Sequence, residues 1–205
     1  MDSIAYSAYE FESTNEEIPN FHSYINKFNL SDQDIYTLPK KKISNICLND
    51  YDRRWCIKIR ESPKAISYGI FKTTVFYEKY LSEIKNKKYK IALSRFRLSN
   101  HNLLIENGRH ARPRIARKER KCFLCKNIVE DEKHFITNCP LYSKQRLILY
   151  QYIGNNSIHF DSLETDEEKF TYIMTNENTI VMNELGKYIS NAFLIRDKIR
   201  LYFFT

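Results

Sequence analysis

The chain has little of the material from which turns are made. Only 4 Gly and 5 Pro occur among its 205 residues, beside 15 Tyr and 13 Phe. Sandwiches and barrels need frequent turns between many short strands, so this composition disfavours them and predicts a mainly α fold. Because 42% of the residues are hydrophobic, the chain can bury a core of its own, and disorder throughout is not expected.

Long apolar runs are also lacking. No stretch approaches the roughly 20 apolar residues that span a bilayer, and Met1 is followed by neither a basic start nor the apolar core of a signal peptide. We therefore expect an intracellular protein, nuclear or cytoplasmic, without a membrane partner. The lysine run at residues 39–42 reads either as a nuclear-localisation patch or as a solvated surface.

Positive charge is concentrated in the middle of the chain, within a net charge of +8. Residues 1–38 hold seven acidic side chains and one Lys, whereas residues 39–121 hold 23 basic and 7 acidic side chains. Residues 122–205 hold 9 basic and 11 acidic side chains. A positive field in the middle segment attracts polyanions such as nucleic acid.

Hydrophobic periodicity predicts several helices. The first runs from Asn49 to a stop at Ser62–Pro63, and a short one lies near residues 170–174. The second begins near Thr73 and shows one apolar face, made of Phe76, Tyr77, Tyr80, Leu81 and Ile84. The last is the most regular, with inward positions Val181, Leu185, Tyr188, Ala192, Ile195, Ile199 and Tyr202.

The basic segment contains a third helix and then a break. From about Lys87 the helix should turn three residues inward, Tyr89, Leu93 and Phe96, and three residues elsewhere, Lys88, Arg95 and Arg97. Gly108 is read as lying in the break that follows this helical region.

Four residues have the order and spacing of metal ligands. The chain has an odd number of cysteines, five, and three of them lie within eighteen positions beside a histidine, which a disulfide framework explains poorly. Cys122, Cys125, His134 and Cys139 form the pattern C-x2-C-x8-H-x4-C, whose paired thiolates, imidazole and third thiolate suit tetrahedral Zn²⁺. A full shell of four protein ligands leaves no open position, so the predicted zinc is structural rather than catalytic.

The sequence thus divides into four predicted segments. They are an acidic, loosely ordered arm at 1–38, a basic helical region with an Arg-rich loop at 39–121, a zinc knuckle at 122–142, and C-terminal helices at 143–205. Asp131 and Glu132 predict the start of a helix through His134, and Pro140 suits the first position of the next one. Cys47 and Cys56 lack such neighbours and read as ordinary core thiols.

Several runs around these ligands resemble the C-terminal zinc-binding tail of reverse transcriptases from non-LTR (LINE-like) retrotransposons. They are Leu93-Ser94-Arg95-Phe96-Arg97-Leu98-Ser99-Asn100-His101, Ile105-Glu106-Asn107-Gly108-Arg109, Arg120-Lys121-Cys122-x-x-Cys125, Val129-Glu130-Asp131-Glu132-x-His134-Phe135 and Asn138-Cys139-Pro140-Leu141-Tyr142. The likeness is close over residues 90–146 and does not reach the acidic arm. It implies a knuckle that helps to seat RNA or a DNA target, and it makes another retroelement-encoded protein a candidate partner. Polymerase chemistry is not implied, because the sequence has no Tyr-x-Asp-Asp box; the chain is expected to be such a tail without the palm, severed or independently encoded.

A basic run directly before the knuckle supplies the candidate contacts to nucleic acid, RNA or DNA. Its members are Arg109, Arg112, Arg114, Arg117, Lys118, Arg120 and Lys121. Arginine predominates, as bidentate phosphate contacts prefer. His110 and Phe123 lie close enough in sequence to stack on bases, although Phe123 suits the core equally well.

Two other functions stay open on the sequence. A zinc-stabilised protein-protein interaction module would explain the knuckle and the long last helix. A nuclease would need acidic groups such as those of Asp166-Glu167-Glu168-Lys169, but this segment reads as an acidic helix start without a partner acid. We therefore expect a binding module that is not an enzyme.

Overall fold

The protein is described by a computed structural model that places the backbone of residues 40–204 and the side chains of residues 45–199. The predicted acidic arm lies outside these residues. The chain forms two compact units, and the boundary lies after Tyr51. Of the first unit, the structure describes only the first turns of helix α1. The other helices and the candidate sites lie in the second unit.

The described part is mainly helical and contains no strand, only one isolated antiparallel bridge between Lys121 and Val129. Its α-helices are α1 Lys40–Glu61, α2 Ile66–Phe71, α3 Tyr80–Glu83, α4 Lys87–Arg97, α5 Leu104–His110, α6 Glu132–Thr137, α7 Ser143–Asn156, α8 Asp166–Thr175 and α9 Thr179–Phe204. Three 3-10 turns lie between them, at Arg117–Glu119, Pro140–Tyr142 and Phe160–Ser162. The mainly α fold predicted from composition is confirmed.

In the second unit, helix α8 packs on α2 and α6. Helix α9 packs along α4 and α7. Its predicted inward positions Val181, Leu185, Tyr188 and Ala192 are buried. The centre of the core is Phe135 of α6, whose ring lies 4.5 Å from that of Tyr142 and 4.7 Å from that of Phe193 between ring centroids. The helix that carries His134 is therefore itself part of the core.

The bounds of two predicted helices need correction. The first helix begins at Lys40 rather than Asn49, although it ends as predicted, at Glu61. The second is confined to Tyr80–Glu83, which leaves Phe76 and Tyr77 at 68% and 69% exposure. Residues 73–79 stay extended or bent, and the backbone N–H of Val75 donates to the carboxylate of Asp52 at 2.8 Å instead of to a helix carbonyl.

Helix α4 begins at Lys87, as predicted, but Arg97 does not point to solvent. Arg97 is 7% exposed. Its guanidinium lies 4.3 Å from the centroid of the Phe71 ring and donates to Glu78 and to the carbonyl of Met174. A periodicity count treats every Arg as polar, whereas this side chain is buried among two hydrogen-bond acceptors and an aromatic ring.

Gly108 lies inside helix α5 rather than in a break. A Cβ at this position would stand 2.8 Å from Cγ of Arg120. The glycine is therefore required by the close passage of the Arg120 side chain and not by a turn.

Candidate metal centre and basic loop

The four predicted ligands converge on one point. One donor atom from each of Cys122, Cys125, His134 and Cys139 lies within 4.8 Å of every other, and the Sγ atoms of Cys122 and Cys139 are 4.0 Å apart. Cys122, His134 and Cys139 are buried and Cys125 is half-buried. Such a group can hold a metal ion.

A short ribbon and a tight turn bring the first two cysteines together. Residues 120–122 pair with residues 128–130, where Cys122 N–H donates to the carbonyl of Ile128 at 2.8 Å and Glu130 N–H to that of Arg120 at 2.8 Å. Between them the chain reverses at Lys126, whose φ of 59° lies in the left-handed region. The N–H of Lys126 closes the turn on the carbonyl of Cys122 at 2.7 Å. Both thiols therefore face the inside of the turn.

Helix α6 brings the histidine to the same point. Asp131 caps the helix, since its carboxylate accepts the N–H of His134 at 2.8 Å. Next to it, Glu132 accepts hydrogen bonds from Ser67, Ser99 and His101. Burial alone would raise the pKa of Glu132, but these hydrogen bonds outweigh it and lower the pKa to about 2. The predicted helix start at Asp131 and Glu132 is confirmed, and both carboxylates fix the orientation of the helix.

The second pair is closed by the end of α6. The N–H of Cys139 donates to the carbonyl of His134 at 2.9 Å, which places the thiol beside the imidazole. Pro140 begins a 3-10 turn, and α7 begins only at Ser143, not at Pro140 as the sequence predicts.

Hydrogen bonds fix the tautomer of His134. Asn138 donates through Nδ2 to the carboxylate of Asp166 at 2.7 Å, so its Oδ1 faces Nδ1 of His134 as an acceptor. Nδ1 therefore carries the proton and Nε2 presents its lone pair. Nε2 is buried and has no hydrogen-bond partner among the described residues, as expected of an atom that ligates a metal.

The sulfur atoms have unequal affinities for protons. The hydrogen bond shared with Cys139 lowers the pKa of Cys122 to about 3, against the opposing effect of burial, and raises the pKa of Cys139 far above its ordinary value. Burial raises the pKa of Cys125. Three thiolates this close repel one another, so their joint ionisation requires a cation between them.

Arg146 of α7 is a neighbour of the cluster that sequence reasoning missed. It is buried and donates to two backbone carbonyls, that of Ile136 at 2.8 Å and that of Cys139. Its positive charge opposes part of the rise that burial causes in the pKa of Cys125. The sequence of a basic protein does not distinguish this Arg from the others. Its role arises only because α7 packs beside the knuckle.

The Arg-rich loop, residues 109–121, contributes unequally to the surface. Five of its basic side chains are exposed, namely Arg112, Arg114, Arg117, Lys118 and Lys121. Arg109 is half-buried and donates to Glu106 and to the carbonyl of Pro63. Arg120 is 4% exposed and donates to the carbonyls of Ile115 and Ile105. The two arginines that flank the loop thus hold its ends, and the five between and after them face solvent.

Two of the exposed basic side chains, Arg114 and Arg117, lie close enough to Arg120 to affect its pKa. Burial, followed by the charges of Arg109, Arg114 and Arg117, lowers the pKa of Arg120. Of the five exposed basic side chains, only Lys121 forms an ion pair with a described side chain, Glu119, at 3.6 Å. His110 is exposed, whereas Phe123 is half-buried beneath the guanidinium of Arg196, 5.8 Å from the ring centroid.

The acidic segment at the start of α8 has structural partners. Glu168 completes a capping box with Thr165, and Asp166 accepts the hydrogen bond from Asn138. These carboxylates stabilise a helix start and the histidine ligand.

Comparison with models of protein families, with curated proteins and with solved structures finds no match to this chain. In the described residues no helix is both long enough and apolar enough to cross a bilayer. Function is therefore inferred from the site.

Proposed function

We propose that the protein is a zinc-stabilised nucleic-acid-binding module, similar to the tail of a non-LTR retrotransposon reverse transcriptase and without catalytic activity of its own. The observation that carries the proposal is the convergence of Cys122, Cys125, His134 and Cys139. They follow directly after a loop whose Arg and Lys side chains are mostly exposed and, among the described residues, mostly without an ion pair. The metal centre would make the loop rigid, and the loop would supply the contacts.

Zinc suits the donor set better than other common ions. Three thiolates and one imidazole are soft to borderline ligands, which Mg²⁺ and Ca²⁺ do not favour. With Zn–S distances of about 2.3 Å, tetrahedral geometry places sulfur atoms about 3.8 Å apart, close to the 4.0 Å between Cys122 and Cys139. Zinc with three thiolates carries one net negative charge, which the buried Arg146 offsets.

A structural role for the zinc follows from the full shell. Four protein ligands leave no position for the bound hydroxide that zinc hydrolases use. The acidic residues that the nuclease alternative would need are engaged elsewhere, Glu168 in a helix cap and Asp166 with Asn138.

The test combines metal analysis with binding. Protein purified without chelator should contain about one zinc per chain, and its affinity for RNA or DNA should fall steeply as salt rises, as it does for contacts to phosphate. Absence of stoichiometric metal would contradict the zinc centre. Failure to bind RNA, single-stranded DNA or duplex DNA at low salt would contradict the nucleic-acid function.

We further predict that Asn138 tunes the zinc affinity. In Asn138→Ala the Nδ1–H of His134 loses its acceptor, and loss of such a partner weakens metal binding by about 10- to 100-fold. Competition with a chromogenic chelator measures this. Asn156→Ala removes an exposed amide from the end of α7 and serves as the matched control; equal affinities in the two variants would refute the role of Asn138.

A protein-protein interaction module is the second candidate. The exposed aromatic pair Phe76 and Tyr77 favours it, because large apolar side chains at the surface are enriched in interfaces. A complex with another protein that is insensitive to salt, in a chain that binds no nucleic acid, would support this alternative.

A further inference from the structure

A groove of about 690 Å³ lies between α4 and α9, separate from the Arg-rich loop. Its rim carries Lys87, Lys88 and Arg95 of α4, and its wall includes Ile91 of the same helix and Phe193 of α9. His101 and Asn102 line it from the segment that follows α4. The dimensions suit a nucleotide-sized group rather than a duplex.

The rim is positively charged. Lys87, Lys88 and Arg95 are exposed, and none of the three forms an ion pair among the side chains that the structure describes. Asp197 is the one acidic side chain that lines the groove, and it accepts a hydrogen bond from Asn102 at 2.8 Å. Lys87 and Arg95 are eight residues apart on one helix, about 12 Å along its axis, so that one strand can place two non-adjacent phosphates against them.

The wall of the groove is apolar. Ile91 is 40% exposed and stands one helical turn from both Lys87 and Arg95, and Phe193 contributes part of an aromatic ring. In a duplex the faces of the bases are stacked on one another, whereas an unpaired base can lay its face on such a wall. Apolar surface between positive charges therefore favours a single strand.

We propose that the groove between α4 and α9 binds an unpaired segment of nucleic acid, with bases against Ile91 and Phe193 and phosphates at Lys87, Lys88 and Arg95. The inference rests on the proposed nucleic-acid function and narrows it to single strands at this site. The Arg-rich loop would contact phosphates of either a single strand or a duplex.

The test compares two matched double variants of the full chain, Lys87→Gln with Arg95→Gln and Lys79→Gln with Lys144→Gln. Both remove two exposed positive charges, but Lys79 and Lys144 do not line the groove. Binding is measured by fluorescence anisotropy with a single strand of about 12 nucleotides and with a duplex of the same sequence, at several salt concentrations. Circular dichroism melting checks that each variant is folded.

The groove variant should bind the single strand about tenfold more weakly than the control variant, with a salt slope about 1.4 lower for two lost contacts. Its duplex affinity should match that of the control. The variant Ile91→Ala should weaken binding of the single strand alone, with the salt slope unchanged.

Equal losses in the groove and control variants would overturn the groove inference while leaving the proposed function intact, provided that the wild-type chain binds. An equal loss for duplex and single strand would also overturn it, since the groove would then act as a general phosphate contact. A wild-type chain that binds neither probe would remove both proposals.

Discussion

Replacing Cys122 or Cys139 with serine is expected to release the zinc and to unfold at least residues 120–142. In small zinc modules the apparent binding energy of the metal is about 10–16 kcal/mol at neutral pH, and it is largely folding energy. The ribbon around Cys122 consists of a few hydrogen bonds and one isolated bridge, which could not stay folded alone. Metal content and hydrogen exchange of residues 120–142 measure the two effects.

The matched control is Cys47→Ser, because Cys47 is exposed, not part of the core as predicted, and lies outside the cluster. That variant should retain one zinc per chain and the exchange protection of the wild type. If Cys122→Ser also retained both, the four residues would be an ordinary cluster of buried side chains.

Loss of the knuckle should affect the core as well. Helix α6 carries both His134 and Phe135, and the hydroxyl of Tyr188 in α9 donates to the carbonyl of Phe135 at 2.6 Å. A buried ion pair ties the same region to α9, since Arg196 donates to both oxygens of Glu130, at 2.9 Å and 2.7 Å. Metal release is therefore expected to loosen α9 and not only the knuckle.

The candidate metal centre could be predicted from the sequence because its four residues form two locally defined pairs. Cys122 with Cys125, and His134 with Cys139, are each brought together by one turn of the chain, and chemical type and spacing suffice to recognise such pairs. The last helix could be predicted for a similar reason, since its apolar residues recur at spacings of three and four along much of its length.

The roles of the residues around the centre could not be predicted from the sequence, because they arise from contacts between distant parts of the chain. No sequence pattern assigns Asn138 a role beside the histidine, yet it connects His134 to Asp166 on α8. The sequence predicts that Arg97 points away from the core and that Arg120 contacts nucleic acid, but each is buried with carbonyl or carboxylate acceptors. A glycine in a sequence predicts a break in a helix, and nothing in the sequence indicates that the Arg120 side chain packs against Gly108.

The Arg-rich loop as a contact surface stays a prediction, and the structure sharpens which residues should be changed. Arg120 and Arg109 hold backbone carbonyls, so their replacement would disturb the fold as well as the charge. Arg112, Arg114 and Arg117 are exposed and form no ion pair among the described side chains, so they report on binding with less risk to the fold.

The triple variant Arg112→Glu, Arg114→Glu and Arg117→Glu is therefore expected to bind nucleic acid about 100-fold more weakly near 0.1 M salt, about equally for all sequences. Each lost phosphate contact should lower the slope of log affinity against log salt by about 0.9 on duplex DNA and about 0.7 on a single strand. Filter binding or anisotropy over a salt series measures both quantities. A control that reverses Lys79, Lys144 and Lys169 changes the net charge equally at positions outside the loop. If both variants lost the same affinity, the effect would come from net charge alone; unchanged affinity and slope in the loop variant would place the binding surface elsewhere on the chain.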